Sequence, residues 1–145
     1  MSINNPAILY PMFALASWTF LILLMIAITR IHAVLRGHIV ADDFRLGESA
    51  AVPERVCLPN RNYMNLLELP MLFYVVCLLL YVTGQNSTAT LTLAWVYVGL
   101  RVLHSLIHLT YNHVLHRLAA FALSNVTALA MWVLAGLGVA SGAGA

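Results

Sequence analysis

Four long apolar stretches constrain the fold of this chain more than any other feature of its sequence. Each reaches the roughly 20 residues that an α-helix needs to cross the hydrocarbon core of a bilayer. Only 8% of the 145 residues are charged, against about 25% in soluble domains. Because backbone groups inside a bilayer must hydrogen-bond to one another, we expect every stretch to be a helix. Membrane spans are predicted at residues 7–29, 63–83, 91–111 and 118–140.

These spans use most of the chain, which predicts one domain over residues 1–145, an all-α integral membrane protein built as a four-transmembrane-helix bundle. No arginine or lysine precedes the first apolar stretch. That stretch is therefore interpreted as a retained helix rather than a cleaved signal peptide. A net charge of +2 without a basic stripe gives no sign of a nucleic-acid partner.

The distribution of arginine predicts the orientation in the membrane. Five of the seven basic residues fall in the loop between the first and second spans, at residues 30–62, and Arg117 lies in the third loop. Positively charged loops remain on the cytoplasmic side. The first and third loops are therefore expected to be cytoplasmic, with both chain termini outside.

Polar side chains interrupt two of the predicted spans at helical spacing. Ionisable groups at this depth usually face the interior of a bundle or a water-filled cavity, and they are functional candidates by default. The spacings i, i+4, i+7 and i, i+3, i+7 each place three side chains on one face of a helix. The two faces are predicted to form a shared polar interior site from Arg61, Asn65 and Glu68 on one side and Arg101, His104 and His108 on the other.

The chemistry of this set suits an anionic ligand that also carries an amine. Guanidinium groups from Arg61, Arg101 and Arg117 can bind carboxylates in pairs of hydrogen bonds. Glu68 can accept an ammonium group. Glutathione combines two carboxylates, one amine and a thiol, and a nearby positive charge favours the thiolate form of a thiol.

Two other interpretations of the same residues remain open at this stage. Glu68 and Arg101 could neutralise each other as a structural pair, with Asn65 bridging helices. His104 and His108 could ligate haem or a metal ion. No third protein ligand stands at a convincing spacing, and Cys57 and Cys77 have no metal-type spacing. No metal site is therefore predicted.

The polar residues of the second span resemble a known signature. In the MAPEG superfamily, the membrane-associated proteins in eicosanoid and glutathione metabolism, an arginine is followed by an asparagine four residues later. A glutamate comes three residues after that, and a proline follows closely. Arg61, Asn65, Glu68 and Pro70 match this order.

The third span and its loop extend the resemblance over nearly the whole chain. Arg101, His104 and His108 are similar to the family's arginine with polar aromatic residues at i+3 and i+7. Arg117 follows Arg101 by sixteen residues, where similar enzymes have the arginine that stabilises the glutathione thiolate.

The resemblance implies a homotrimer of four-helix protomers in membrane lipid, with glutathione as co-substrate bound between adjacent subunits. Arg117 is then the expected catalytic residue, acting on a lipophilic small-molecule electrophile that enters from the bilayer. The resemblance implies a contact to a glutathione carboxylate from Arg36, near the end of the first helix, with Arg30 as the alternative. The remaining implied glutathione-binding residues are Arg61, Asn65, Glu68, Arg101, His104 and His108.

The chain departs from the eicosanoid-forming members and is closer to the bacterial type. His108 stands where similar enzymes have a tyrosine, and Leu118 and Phe121 replace a serine and a tyrosine. Leu69 replaces an aromatic residue found in some members. The first functional hypothesis is a membrane glutathione transferase or peroxidase. The alternatives are a non-catalytic binding or accessory protein of the same fold, or a histidine-ligated haem or metal protein.

Overall fold

A computed structural model describes residues 6–37, 39–45 and 47–142, and this part of the chain contains helices and no strand. Two short 3₁₀ segments, Pro6–Ile8 and Ala41–Phe44, accompany five α-helices. In chain order the α-helices are α1 (Leu9–Leu35), α2 (Glu54–Leu67), α3 (Pro70–Val82), α4 (Thr88–Leu109) and α5 (Val114–Ala140).

These helices form four segments that are long and apolar enough to cross a membrane. The segments are Pro6–Leu35, Glu54–Val82, Thr88–Leu109 and Val114–Ala140. The prediction of an all-helical protein with four membrane-spanning segments is therefore confirmed. The second segment starts at Glu54 rather than at residue 63, because the helix continues through polar residues that the apolar pattern leaves out.

The second segment is broken in its middle, between α2 and α3. Glu68 leaves the helical conformation with ψ at −91°, and α3 begins at Pro70. Proline has no N–H to donate, and its ring collides with the carbonyl four residues before it in a continuous helix. It is well tolerated at the first position of a new helix. Pro70 therefore ends one helix and starts the next.

The short connections orient the remaining helices. Ser87 caps α4, since its Oγ accepts the Thr90 N–H at 3.1 Å and its own N–H donates to Thr90 Oγ1 at 3.0 Å. Asn112 turns the chain from α4 into α5 with φ at 47°, a left-handed conformation that asparagine tolerates better than most residues. These turns bring α4 and α5 together along their lengths.

An apolar core fills the part of the bundle away from the α4–α5 turn. The rings of Phe73 and Tyr97 stack with centroids 4.4 Å apart, which fixes α3 against α4. Leu15, Ile22 and Met131 are almost completely buried beside them. The polar side chains of α4 lie nearer the other end of the bundle.

The first loop folds back onto the ends of α1 and α2. Arg30 Nη2 lies 3.1 Å from Glu48 Oε1, and its guanidinium carbon lies 4.6 Å from the centre of the Phe44 ring. In the loop itself, the Val40 N–H and the Ser49 hydroxyl donate to the Asp43 carboxylate and hold its pKa below the usual range. The loop is thus attached to the helices by a charged pair and an aromatic contact.

A polar cleft between α2, α4 and α5

α4 directs three polar side chains into the protomer. Arg101, His104 and His108 are all buried, and Arg101 is 0% exposed. Their spacing along the helix places them on the face that packs against α2 and α5. The predicted polar face of the third span is therefore present.

Arg101 uses a carbonyl that the helix break leaves free. Its Nη2 donates to the backbone oxygen of Asn65, which would accept the Leu69 N–H in an unbroken helix. Its guanidinium carbon lies 5.5 Å from the centre of the Phe121 ring. Its Nε and Nη1 are buried with no hydrogen-bond partner among the described residues. A positive group with two open donors is thus held inside the protein.

Arg101 and Glu68 do not form the structural ion pair that their sequence positions allowed. Among the described residues, the ion pair within 4.0 Å is Arg30 with Glu48. The Glu68 side chain is exposed on the outer surface of the protomer. Arg101 therefore has no carboxylate of the described residues within 4.0 Å.

His104 connects α4 to the main chain of α5. Its Nδ1 lies 3.0 Å from the carbonyl oxygen of Arg117. A carbonyl can only accept, so this Nδ1 carries the hydrogen and Nε2 presents a lone pair. His104 Nε2 is buried and has no partner among the described residues. The imidazole therefore offers a free acceptor beside Arg117.

Arg117 lies in the first turn of α5, and a turn residue holds its side chain. Its Nη1 donates to Asn112 Oδ1 at 2.7 Å. The sequence interpretation did not identify Asn112 as a functional residue. An asparagine between two helices is typical of a turn, but its hydrogen bond to Arg117 depends on the direction in which α5 leaves that turn.

A cleft of about 230 Å³ opens between these groups. We call it the polar cleft and define it by Asn65, His104, Val114, Arg117, Leu118 and Phe121, which line it. It combines one guanidinium group, one imidazole and one carboxamide with apolar walls. The structure thus brings Asn65, His104 and Arg117 together from three different helices.

The remaining residues of the second helix are placed differently from the prediction. Arg61 and Glu68 are exposed on the protomer, whereas the sequence pattern placed them with Asn65 in a shared interior. The expected geometry is corrected in this respect, because the interior of one protomer receives only Asn65 from that set. Their role in binding a ligand stays a prediction.

Two further buried polar residues extend the contact between α2 and α4. Asn62 and Ser105 are both 0% exposed, and Ser105 Oγ donates to Asn62 Oδ1 at 3.1 Å. The prediction included neither residue. Asn62 follows Arg61 in the sequence and Ser105 follows His104, but the family pattern does not predict a contact between Asn62 and Ser105.

His108 and Arg36 are the other two predicted ligands. His108 is buried with both ring nitrogens unpartnered among the described residues, and its ring centre lies 6.0 Å from that of His104. No group of three or more His, Cys, Asp or Glu side chains in the described part of the chain could hold a metal ion. Arg36 lines a different cavity, beside His32 and Arg55.

The chemistry that this arrangement supports is stabilisation of an anion. Arg117 supplies positive charge in the cleft, and the buried Arg101 guanidinium lies behind the Phe121 ring that lines it. A low-polarity environment strengthens the attraction of these charges for an anion. His104 lines the same cleft, and its buried Nε2 is a hydrogen-bond acceptor that no described residue uses. A thiol that loses its proton there would meet both a place for the proton and a cation for the sulfur.

Comparison with known proteins identifies a family. The model of the MAPEG family matches residues 8–137 of the chain. Neither the curated proteins nor the solved structures gave a significant match.

Proposed function

The chain belongs to the MAPEG family, and from this premise we propose that it is a membrane enzyme that uses glutathione to modify lipophilic electrophiles. Family membership implies a membrane function in glutathione-dependent transfer, peroxide reduction or eicosanoid metabolism. The observation that carries the narrower proposal is the convergence of Asn65, His104 and Arg117 on one cleft, with the buried Arg101 guanidinium behind the Phe121 wall of that cleft.

The polar cleft fits the chemical groups of glutathione. Arg101, buried behind the Phe121 wall of the cleft, adds positive potential that favours an anionic ligand. Asn65 offers a carboxamide at the edge of the cleft. Ligand sites usually have volumes of about 300–1,000 Å³, so a cleft of about 230 Å³ is a partial site. The exposed Arg61 and Glu68 would serve a ligand held between this protomer and a second copy.

The reaction needs a thiolate, and two residues would produce it. His104 Nε2 would accept the thiol proton, and Arg117 would hold the resulting negative sulfur. The sulfur electron pair then forms the new bond to carbon, and the electrophile releases its leaving group or takes up a proton. Such electrostatic stabilisation needs no catalytic dyad of the Ser–His kind.

The electrophile would approach through the apolar mouth of the cleft. Val114 and Leu118 line the cleft and are 63% and 57% exposed. In a membrane these side chains contact lipid, so a lipophilic compound can reach the cleft directly from the bilayer. The proposed substrates are therefore apolar electrophiles.

The test is glutathione conjugation to a generic aromatic electrophile by the purified protein in detergent. Removing one preorganised charge-stabilising donor typically lowers kcat by a factor of about 10²–10³. We expect Arg117→Ala to lower kcat/KM by at least 10-fold, while Arg45→Ala, an exposed loop variant, retains the native rate. Equal rates for native protein and Arg117→Ala would contradict the proposal.

A second candidate, a binding protein without catalysis, is favoured by one feature of the cleft. Leu118 and Phe121 line it, and neither supplies a hydroxyl for the sulfur. A ligand that binds only the folded state raises its stability as the concentration passes Kd. A thermal shift with glutathione but no conjugation would support this candidate, and the absence of any shift would reject glutathione binding altogether.

A further inference from the structure

A second cavity lies at the same end of the bundle and shares no lining residue with the polar cleft. Its volume is about 470 Å³, and it lies between the last turns of α1 and the first turn of α2. Its walls combine apolar side chains with three basic ones. We call it the basic pocket and define it by Ala33, Pro53 and Val56 on the apolar side and His32, Arg36 and Arg55 on the basic side.

The two arginines of the basic pocket carry uncompensated charge. Arg36 and Arg55 are exposed, and no acidic side chain of the described residues lies within 4.0 Å of either guanidinium. Arg30, which also lies in α1, is by contrast paired with Glu48. Unpaired guanidinium groups on both sides of one cavity favour an anion, and their planar geometry matches a phosphate.

The start of α2 adds to this positive potential. The residue before the helix is Pro53, and no side chain caps the first turn. The first N–H groups of a helix have no partner within the helix and point towards its beginning, where the helix dipole is positive. Glu54 in the first turn opposes this potential, and the Val56 and Cys57 N–H groups donate to the Pro53 carbonyl. The two arginines are therefore the main donors for an anion in the basic pocket.

The position of the pocket and the surface beside it select a lipid over a soluble phosphate. α1 ends its membrane span at Leu35, and the next span starts at Glu54, so the basic pocket lies where the spans leave the hydrocarbon. Ile28, Ile31 and Leu35 follow one stripe of α1 that adjoins the pocket at His32, and they are 55%, 60% and 80% exposed. A hydrocarbon chain on this stripe would place its polar head at the arginines.

We propose that the basic pocket binds the head group of an anionic glycerophospholipid, whose acyl chains lie along the stripe of Ile28, Ile31 and Leu35. Arg36 and Arg55 contact the phosphate, and Ala33, Pro53 and Val56 contact the glycerol end of the chains. The pocket lies outside the polar cleft. The resemblance implies a glutathione contact from Arg36, so Arg55 is the arginine that distinguishes lipid binding from the proposed glutathione site.

The test is native mass spectrometry of the full chain in mild detergent, with dioleoyl phosphatidylglycerol and dioleoyl phosphatidylcholine as probes. We expect tighter binding of phosphatidylglycerol, because its phosphate charge is not offset by choline. A basic residue near a lipid surface contributes about fivefold in affinity, so Arg36→Gln and Arg55→Gln should each weaken phosphatidylglycerol binding about fivefold. Raising the salt concentration should reduce this difference.

The matched control is Arg45→Gln, which removes the same charge from an exposed loop position outside the pocket. It should bind phosphatidylglycerol like the native chain. Equal weakening by Arg45→Gln would indicate general surface charge and overturn the proposal, as would a double variant of Arg36 and Arg55 that still prefers phosphatidylglycerol. If inorganic phosphate at the same concentrations displaces phosphatidylglycerol, the pocket binds a free anion rather than a lipid, and the proposal is wrong.

A parallel measurement separates the basic pocket from the glutathione site. Arg55→Gln should leave the thermal shift caused by glutathione unchanged. If that shift is lost together with lipid binding, the pocket belongs to the glutathione site and the lipid assignment fails. If the native protein binds phosphatidylglycerol but shows no thermal shift with glutathione, the proposed function fails and the lipid assignment stands.

Discussion

Arg117 is held at both its side chain and its main chain. Asn112 accepts from its guanidinium at 2.7 Å, and His104 donates to its carbonyl at 3.0 Å. Ordering a long side chain costs conformational entropy. Because these two contacts already order Arg117, a ligand that binds its guanidinium does not have to supply that cost. A cation that is already oriented needs no reorganisation when negative charge develops on sulfur.

Asn112 is therefore predicted to act as a positioning residue for Arg117. Asn112→Gly removes the carboxamide and still accepts φ at 47°. We expect it to lower kcat for glutathione conjugation with little loss of thermal stability. Asn112→Ala should lower kcat similarly and also destabilise the fold by roughly 1–2 kcal/mol, because alanine is strained in the left-handed region.

The measurement that separates positioning from folding is the ultraviolet absorbance of the glutathione thiolate bound to each variant. It should decrease in both variants if Arg117 loses its orientation. Full thiolate absorbance and native kcat in Asn112→Gly would show that Asn112 only shapes the turn.

At this scale the sequence predicts some contacts and misses others for a physical reason. The face of Arg101, His104 and His108 follows from helical periodicity alone, so it is predicted. The contact of Asn112 with Arg117 depends on a left-handed turn, and the contact of Arg101 with the Asn65 carbonyl depends on a helix break. Neither can be derived from spacing within a regular helix.

The break between α2 and α3 is the element that connects the bundle to the polar cleft. Because α2 ends before Leu69, the Asn65 carbonyl is available to Arg101. The pattern of the second span identified Pro70 but did not predict the break, since proline inside a membrane helix is often accommodated by neighbouring groups. The earlier start at Glu54 was missed because residues 54–62 are too polar for a hydropathy pattern.

Restoring a continuous helix should displace Arg101. Pro70→Ala supplies an N–H for the carbonyl of Leu66 and removes the ring that ends α2. The Leu69 N–H could then compete with Arg101 for the Asn65 oxygen. We expect slower hydrogen exchange at Leu69, unchanged or higher thermal stability without ligand, and weaker glutathione binding.

Pro59→Ala is the matched control for this change. Pro59 is a buried proline inside the same helix, away from the residues that line the polar cleft. It should leave the glutathione thermal shift unaltered. A Pro70→Ala protein that binds glutathione as tightly as the native chain would show that the free carbonyl is irrelevant to the site.

At the scale of the whole molecule, the outer surface of the protomer carries polar groups within a membrane span. Arg61 and Glu68 are exposed, and a charged group facing lipid costs about 2.5–3.5 kcal/mol or more. A second copy that covers these side chains would remove that cost and complete the partial site of about 230 Å³.

We therefore predict a homotrimer, the assembly that the family resemblance implies. Native mass spectrometry in mild detergent should give three times the 15.9 kDa chain mass. Glu68→Leu should alter the stability of the trimer, whereas Glu54→Leu at the exposed start of α2 should not. A monomer over the full range of accessible protein concentrations would contradict the prediction.

The burial of Arg101 also has a consequence for how the chain enters the membrane during synthesis. α4 is the least apolar of the four spans, and an arginine disfavours insertion by about 2.5–3.5 kcal/mol near a helix centre. Only residues 110–113 separate α4 from α5. We expect the translocation machinery to integrate this helical hairpin as one unit. In a cell-free insertion assay, the segment of α4 alone should integrate poorly and the α4–α5 pair efficiently.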